Sequence, residues 1–360
     1  MTKSHAALNI DEYLRERLMP VEGEIPHIPG IEMFGNSVPA ETVGGDLFEY
    51  INFQQRYDID ARIQQALRLS KEFLEPLPLG SPVRNSVDDH VQWLKGIPDF
   101  SSDMETEYRF ARSSEQLRVS ADLRDLYSMA GILVVDAQGH DIISAKIAST
   151  VHDTFHALML TELDRYGKTT PMLFENINLR LAQSVTARNE LAIDEKEDAR
   201  ENATMLYGEV HPGGHFRFVN FGHPPPLVFS ADSCKLVNIG AARMVQFLPL
   251  GLQISEGHPD RRRYYSLNLR PREIESSDLA EITLLSPGDI LVLYTDGVYD
   301  GSDKQGRELL EAVIREHYRQ PAKDICNALL DQAVQRDEQL RQNGDVDLID
   351  DKTVFVVKRT

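Results

Sequence analysis

Ile290-Leu291-Val292-Leu293-Tyr294-Thr295-Asp296-Gly297 reads as a buried strand that ends on an acidic turn. Three other short acidic signals occur along the chain: Val43-Gly44-Gly45-Asp46, Ile132-Leu133-Val134-Val135-Asp136 and Leu348-Ile349-Asp350-Asp351. Three of the four end apolar, strand-like runs. Each taken alone has an ordinary explanation. Gly-Gly-Asp and Asp-Gly are common turns, an Asp after a strand often caps a helix, and paired Asp before a strand is usually solvated charge. Together they say more. Carboxylates gathered where buried strands emerge repel one another unless divalent cations neutralise them. Hard oxygen ligands without a His-rich or Cys-rich set point to Mg²⁺ or Mn²⁺ rather than zinc. A pair of such ions suits phosphate-ester hydrolysis.

The 360 residues hold one large domain or two ordinary ones, and 41% hydrophobic with 26% charged residues is a globular composition. The net charge of −19 argues against nucleic-acid or anionic-membrane binding driven by global charge. Cys234 and Cys326 form no C-x-x-C pair and read as buried, reduced thiols. The N-terminus lacks an apolar signal core and no run reaches membrane-spanning length, so a cytoplasmic protein is expected.

A short amphipathic helix is expected over 4–19, then strands at 31–35 and 46–53. Residues 54–120 differ in character: Ile59, Ile63, Leu67 and Leu74 recur at helical spacing, a Pro-rich break follows, and the sole tryptophan is Trp93. This segment reads as a mainly helical insertion without a catalytic signal. A strand over Leu126–Val135 and helices over 141–165 and 170–190 follow, and 194–201 reads as a charged loop. His211-Pro212-Gly213-Gly214 joins two strands as a hairpin. Further strands fall at 282–285, 289–295 and 353–358, with helices at 306–319 and 321–342. Strands in runs and helices in pairs predict an α+β fold: a four-layer α-β-β-α sandwich with two mainly antiparallel central sheets and a helical insertion.

The ordered series Val43-Gly44-Gly45-Asp46, Asp136-x-x-Gly139-His140, Asn220-x-Gly222-His223-Pro224-Pro225-Pro226, Leu248-Pro249-Leu250-Gly251, Pro287-Gly288-Asp289 with Leu293-Tyr294-Thr295-Asp296-Gly297, and Asp350-Asp351-x-Thr353 resembles the PPM-type (protein phosphatase 2C type) metal-dependent Ser/Thr phosphatases. It looks most like their bacterial SpoIIE/RsbU branch. The resemblance covers roughly 15–53 and 121–360. It implies a catalytic domain made of 1–53 and 121–360. The 54–120 insertion departs from the family, whose members join these strands by a much shorter link, and its expected role is regulation, dimerisation or substrate recognition; the sensor domain usual in the family is not read in this sequence.

By that resemblance Asp46, Asp136 and Asp296 are the catalytic acids, and Asp46, Asp136, the carbonyl of Ala137, Asp296 and Asp350 hold two Mn²⁺ or Mg²⁺ ions, with Asp351 alongside. It implies attack on phosphorus by a metal-bridged hydroxide without a phospho-enzyme. The implied setting is bacterial signalling or stress response. The implied substrate is a phosphorylated STAS-type anti-anti-sigma protein, and control comes from an activator protein, the insertion or a homodimer. Where the family usually reads Gly-His-Gly, this chain has Gly139-His140-Asp141. His223 reads as part of a hydrogen-bonded turn. Two rivals stand beside this reading: a phosphatase-fold scaffold that binds a phosphoprotein without hydrolysing it, and a two-metal hydrolase for small phosphate esters.

Overall fold

Buried residues two apart along the strands sort into two separate cores, as strands covered on both faces require. The computed structural model describes residues 23–41, 43–76, 104–139, 142–189, 202–239, 244–252, 269–270, 279–284, 286–299 and 304–360. The helix expected over 4–19, the loop over 194–201, Trp93, His140 and Asp141 lie outside the described residues.

The strands are β1 (Ile31–Val38), β2 (Asp46–Ile51), β3 (Ala130–Ala137), β4 (Ala203–Val210), β5 (His215–Phe221), β6 (Leu227–Ser230), β7 (Lys235–Val237), β8 (Gln246–Phe247), β9 (Leu269–Arg270), β10 (Ala280–Thr283), β11 (Ile290–Tyr294) and β12 (Lys352–Arg359). The helices are α1 (Phe53–Arg56), α2 (Ile59–Leu74), α3 (Met104–Asp125), α4 (Ile142–Tyr166), α5 (Pro171–Asn189), α6 (Lys304–His317) and α7 (Ala322–Asn343). The strand expected from Leu126 begins instead at Ala130. Helix α3 continues to Asp125, and Leu126–Ser128 forms a 3₁₀ turn.

One sheet has the order β1-β12-β11-β6-β7 and the other β2-β3-β4-β5-β8-β9, with β10 beside β5. Pairing is antiparallel except at β5–β8 and β8–β9, which are parallel. Between the sheets lie Met33, Phe48, Tyr50, Ile132, Val134, Leu206, Phe218, Leu291, Leu293, Phe355 and Val357. The alternate residues of β11 and β12, Ile290, Val292, Tyr294, Val354 and Val356, face the other way. They pack with Ile314 of α6 and with Ile325, Leu329 and Leu330 of α7. Each such aliphatic side chain contributes roughly 1.5–3 kcal/mol when taken out of water. On the outer face of the second sheet, Phe155 of α4 and Phe174 of α5 both contact the Tyr207 ring. The layers are therefore helix, sheet, sheet, helix.

Contacts divide the chain into two compact units. One comprises Met1–Asn52, Met129–His156 and Pro171–Thr360, and the other Phe53–Ser128 and Ala157–Thr170. In the second, α2 starts where the Asp58 carboxylate accepts the Ala61 amide at 3.0 Å, an N-cap. Its Ile59, Ile63, Ala66 and Leu74 are buried while Leu67 is half-buried. The Ser70 and Ser113 hydroxyls bond at 2.6 Å between α2 and α3. Arg62 Nε donates to the Asp164 carbonyl at 2.7 Å and lies 3.1 Å from its carboxylate.

Cys326 is buried, its thiol pushed up to about 12 by burial, whereas Cys234 is only partly covered; both are free. No helix among the described residues is long and apolar enough to cross a membrane.

Candidate active site

Asp46 opens β2 and Asp136 lies near the end of β3, and the antiparallel register makes them direct partners. In the other sheet, Tyr294 of β11 pairs with Val354 of β12, and the Thr295 amide donates to the Thr353 carbonyl at 3.1 Å. Asp296 follows that pair on one strand and Asp350 precedes it on the other. Two hydroxyls join the sheets at this edge. Asp46 Oδ2 accepts from Thr295 Oγ1 at 2.6 Å and from Thr353 Oγ1 at 2.9 Å. Thr353 Oγ1 also bonds Ser37 Oγ at 3.0 Å, and the Thr353 amide donates to Thr295 Oγ1 at 2.9 Å.

The electrostatics follow from this crowding. Burial pushes the Asp46 carboxyl well above the usual carboxylate range, and the charges of Asp136 and Asp351 push it further. The two threonine hydroxyls oppose that rise by bonding the charged form. Asp136 is likewise raised by burial, and then by Asp296, Asp350 and Asp351. Four acids from three strand ends, Asp136, Asp296 and the adjacent Asp350 and Asp351, thus press on Asp46 or Asp136. Without a cation the site is strained.

Asp351 is buried and acts as a clamp. Its Oδ1 accepts the Ala40 amide and its Oδ2 the Gly45 amide, both at 2.7 Å. This explains the double glycine before Asp46. A Cβ on Gly44 would stand 2.2 Å from the Asp351 carboxylate, and one on Gly45 2.3 Å from the Ala137 carbonyl oxygen. No side chain fits either place. Behind the loop, Lys352 Nζ donates to the Asp350 carbonyl at 2.5 Å and pairs with Asp337 Oδ2 of α7 at 2.5 Å.

His223 is held in its own turn, one strand across from Asp136 through Thr204. The Asn220 side chain closes its turn, accepting the His223 amide at 2.8 Å and donating to the His223 carbonyl at 2.9 Å. Its Nδ1 bonds Thr204 Oγ1 at 2.9 Å. Burial pushes the imidazole down to about 3, opposed by the Tyr294 backbone, so it is neutral near pH 7. The unfolded chain then takes up this proton first as pH falls below 6.5, and the folded state loses stability between 6.5 and about 3. We expect a loss of about 2 kcal/mol from this group between pH 7 and 5. Urea denaturation across that range checks it: the loss should be smaller in a folded His223→Asn variant, and an equal pH slope would refute it.

The donor chemistry of these residues fits hard divalent cations. The donors are all oxygen: Asp46, Asp136, Asp296, Asp350 and the Ala137 carbonyl, beside which only a glycine fits at position 45. The raised carboxyls mark where positive charge would be stabilising. Ordering by Thr295, Thr353 and Lys352 could not be read from the sequence motifs, although all three residues stand inside or beside them.

The model of the family described as stage II sporulation protein E (SpoIIE) matches residues 129–274 and 275–360. No curated protein matches the chain. Similar solved structures include the RsbU and RsbW domains of Rv1364c from Mycobacterium tuberculosis, with 16% identity, 93% of this chain and 61% of that chain covered, and a TM-score of 0.47. The PP2C phosphatase domain and a regulatory fragment of the cell fate determinant SpoIIE from Bacillus subtilis give 11%, 92%, 64% and 0.46. The SiaA-PP2C domain of Pseudomonas aeruginosa gives 15%, 91%, 85% and 0.42. The chain spans less than two thirds of the length of the first two.

Proposed function

The chain belongs to the SpoIIE family of PP2C-like domains, and on that premise we propose that it is a metal-dependent protein phosphatase acting on phosphoserine and phosphothreonine. The observation that carries the proposal is the gathering of Asp46, Asp136, Asp296 and Asp350 at one edge of the paired sheets, with Asp46 and Asp136 raised by burial and mutual repulsion. These acids and the Ala137 carbonyl would hold two Mn²⁺ or Mg²⁺ ions. Bound there, such ions supply charge neutralisation on the phosphoryl oxygens and a water acidic enough to attack.

The chain's own part is positional. Thr295 and Thr353 fix the Asp46 carboxylate between the sheets. Asp351 holds the Gly45 amide, and so the approach to Asp46. Lys352 ties the Asp350 carbonyl to α7 through Asp337.

The substrate we propose is a phosphorylated STAS-type anti-anti-sigma protein in a cytoplasmic bacterial signalling or stress pathway. The residues of 54–120 are proposed as the regulatory part, answering to an activator protein or to a second copy of the chain. A test compares a phosphoserine peptide and a phosphorylated STAS domain with a nucleotide and a small aryl phosphate, all with Mn²⁺. We expect release from the phosphoprotein at a kcat/KM well above that for the small esters. Preference for the nucleotide would overturn the substrate class.

A further inference from the structure

On the face of β2 opposite Asp46, the strand presents a second polar cluster. Asp46, Phe48 and Tyr50 point between the sheets, where Phe48 and Tyr50 join the core. Glu49, one residue out of phase, points to the helix side. It is fully buried at 0% exposure, a rare place for a carboxylate. Along the strand it stands roughly 10 Å from Asp46, at about 3.3 Å per residue.

Helix α4 supplies what meets it. In His152-Asp153-Thr154-Phe155-His156 the two histidines are four apart and share one helical face. Their ring centroids are 4.5 Å apart. Both rings aim the same atom at the same target: Nε2 of His152 lies 3.0 Å from Glu49 Oε2, and Nε2 of His156 lies 2.5 Å from it. The three ligand atoms lie within 4.8 Å of one another.

We propose that Glu49, His152 and His156 form a binding site for one transition-metal dication of the zinc class, separate from the acidic centre. Two imidazoles and one carboxylate make a borderline ligand set, which suits zinc, cobalt or nickel and differs from the all-oxygen set at Asp46. Three protein ligands leave a fourth position for water. The features such a site requires are present. His152 Nδ1 lies 3.3 Å from Asp153 Oδ1, an outer carboxylate that orients the ring. The side chains of His152 and His156 are 13% and 17% exposed, which gives an ion a way in from solvent. A bound ion would tie β2, the strand that carries Asp46, to α4.

The test uses the full chain saturated with Mg²⁺, so that hard-ligand sites are filled, and titrates Zn²⁺ against a chromophoric chelator. We expect one equivalent of Zn²⁺ to bind, unchanged in Asp46→Asn and weakened more than about 100-fold in His152→Gln/His156→Gln. Circular dichroism checks that the variant is folded. If it is not, one equivalent of Co²⁺ added to wild-type protein provides the second reading: a visible spectrum of mixed nitrogen and oxygen ligation is expected. Absence of Zn²⁺ binding in wild type, equal binding by the folded double variant, or an all-oxygen Co²⁺ spectrum would each overturn the site. None of these readings involves phosphatase activity, so they stand or fall independently of it.

Discussion

Asp46→Asn should abolish metal-dependent phosphate release and, at the same time, raise the stability of the metal-free protein. The substitution keeps the shape and keeps an oxygen for Thr295 and Thr353, but removes one of the charges that repel each other at the site. A folded-state carboxyl raised above its unfolded value contributes stability at low pH and loses it as pH rises, so charge on these carboxyls is a burden until cations arrive. Asn lifts that burden. It also removes a charged ligand, and losing several kcal/mol of charge stabilisation in the transition state means a fall of about 10³-fold or more. Two measurements on one variant check this: turnover with Mn²⁺, and thermal melting with chelator and with Mn²⁺. We expect near-zero turnover, a higher melting temperature than wild type in chelator, and a smaller rise on adding metal. Wild-type turnover, or a lower metal-free melting temperature in a folded variant, would contradict the reading.

The second large effect lies behind the site. Lys352→Met should cost about 3–5 kcal/mol of stability, because it leaves the Asp337 carboxylate buried without its cation. Both groups are nearly covered, at 2% and 9% side-chain exposure, so solvent cannot screen the loss. Replacing both partners, as Lys352→Met/Asp337→Leu, should restore most of the stability, since the uncompensated charge is then gone. Turnover should separate from stability here. The double variant still lacks the bond from Lys352 Nζ to the Asp350 carbonyl, so its kcat should stay below wild type. Urea denaturation and steady-state kinetics on the two variants decide it. A single variant as stable as wild type would sink the argument for the buried pair, and a double variant with full kcat would sink the positioning role.

The acidic signals could be picked out because each is local, an apolar run or a Gly-Gly turn followed by an Asp within eight positions. The layered fold was legible from the order of elements, strands in runs and helices in pairs, whereas the split of Leu291 and Leu293 from Ile290 and Val292 between two cores cannot be read from an apolar run and emerges only in the fold. What escaped the sequence depends on distance along the chain. Asp351 looks like solvated charge beside Asp350 until the fold brings the Ala40 and Gly45 amides to it across 311 and 306 residues. Lys352 looks like the polar start of a strand until α7 delivers Asp337. Glu49 meets His152 and His156 across 103 and 107 residues, and neither histidine belongs to a motif. The misplaced strand at Leu126 has a different cause. Leu126, Tyr127 and Met129, in and just after the 3₁₀ turn, resemble the start of a strand when only composition is read.

The most direct test of the central claim is phosphate release from a phosphoserine peptide by the full chain with Mn²⁺, with Mg²⁺ and with chelator. We predict turnover that appears with metal, vanishes on chelation and is lost in folded Asp296→Asn. Turnover that persists in chelator, or none under any condition from folded protein that binds the phosphopeptide, would contradict a two-metal phosphatase.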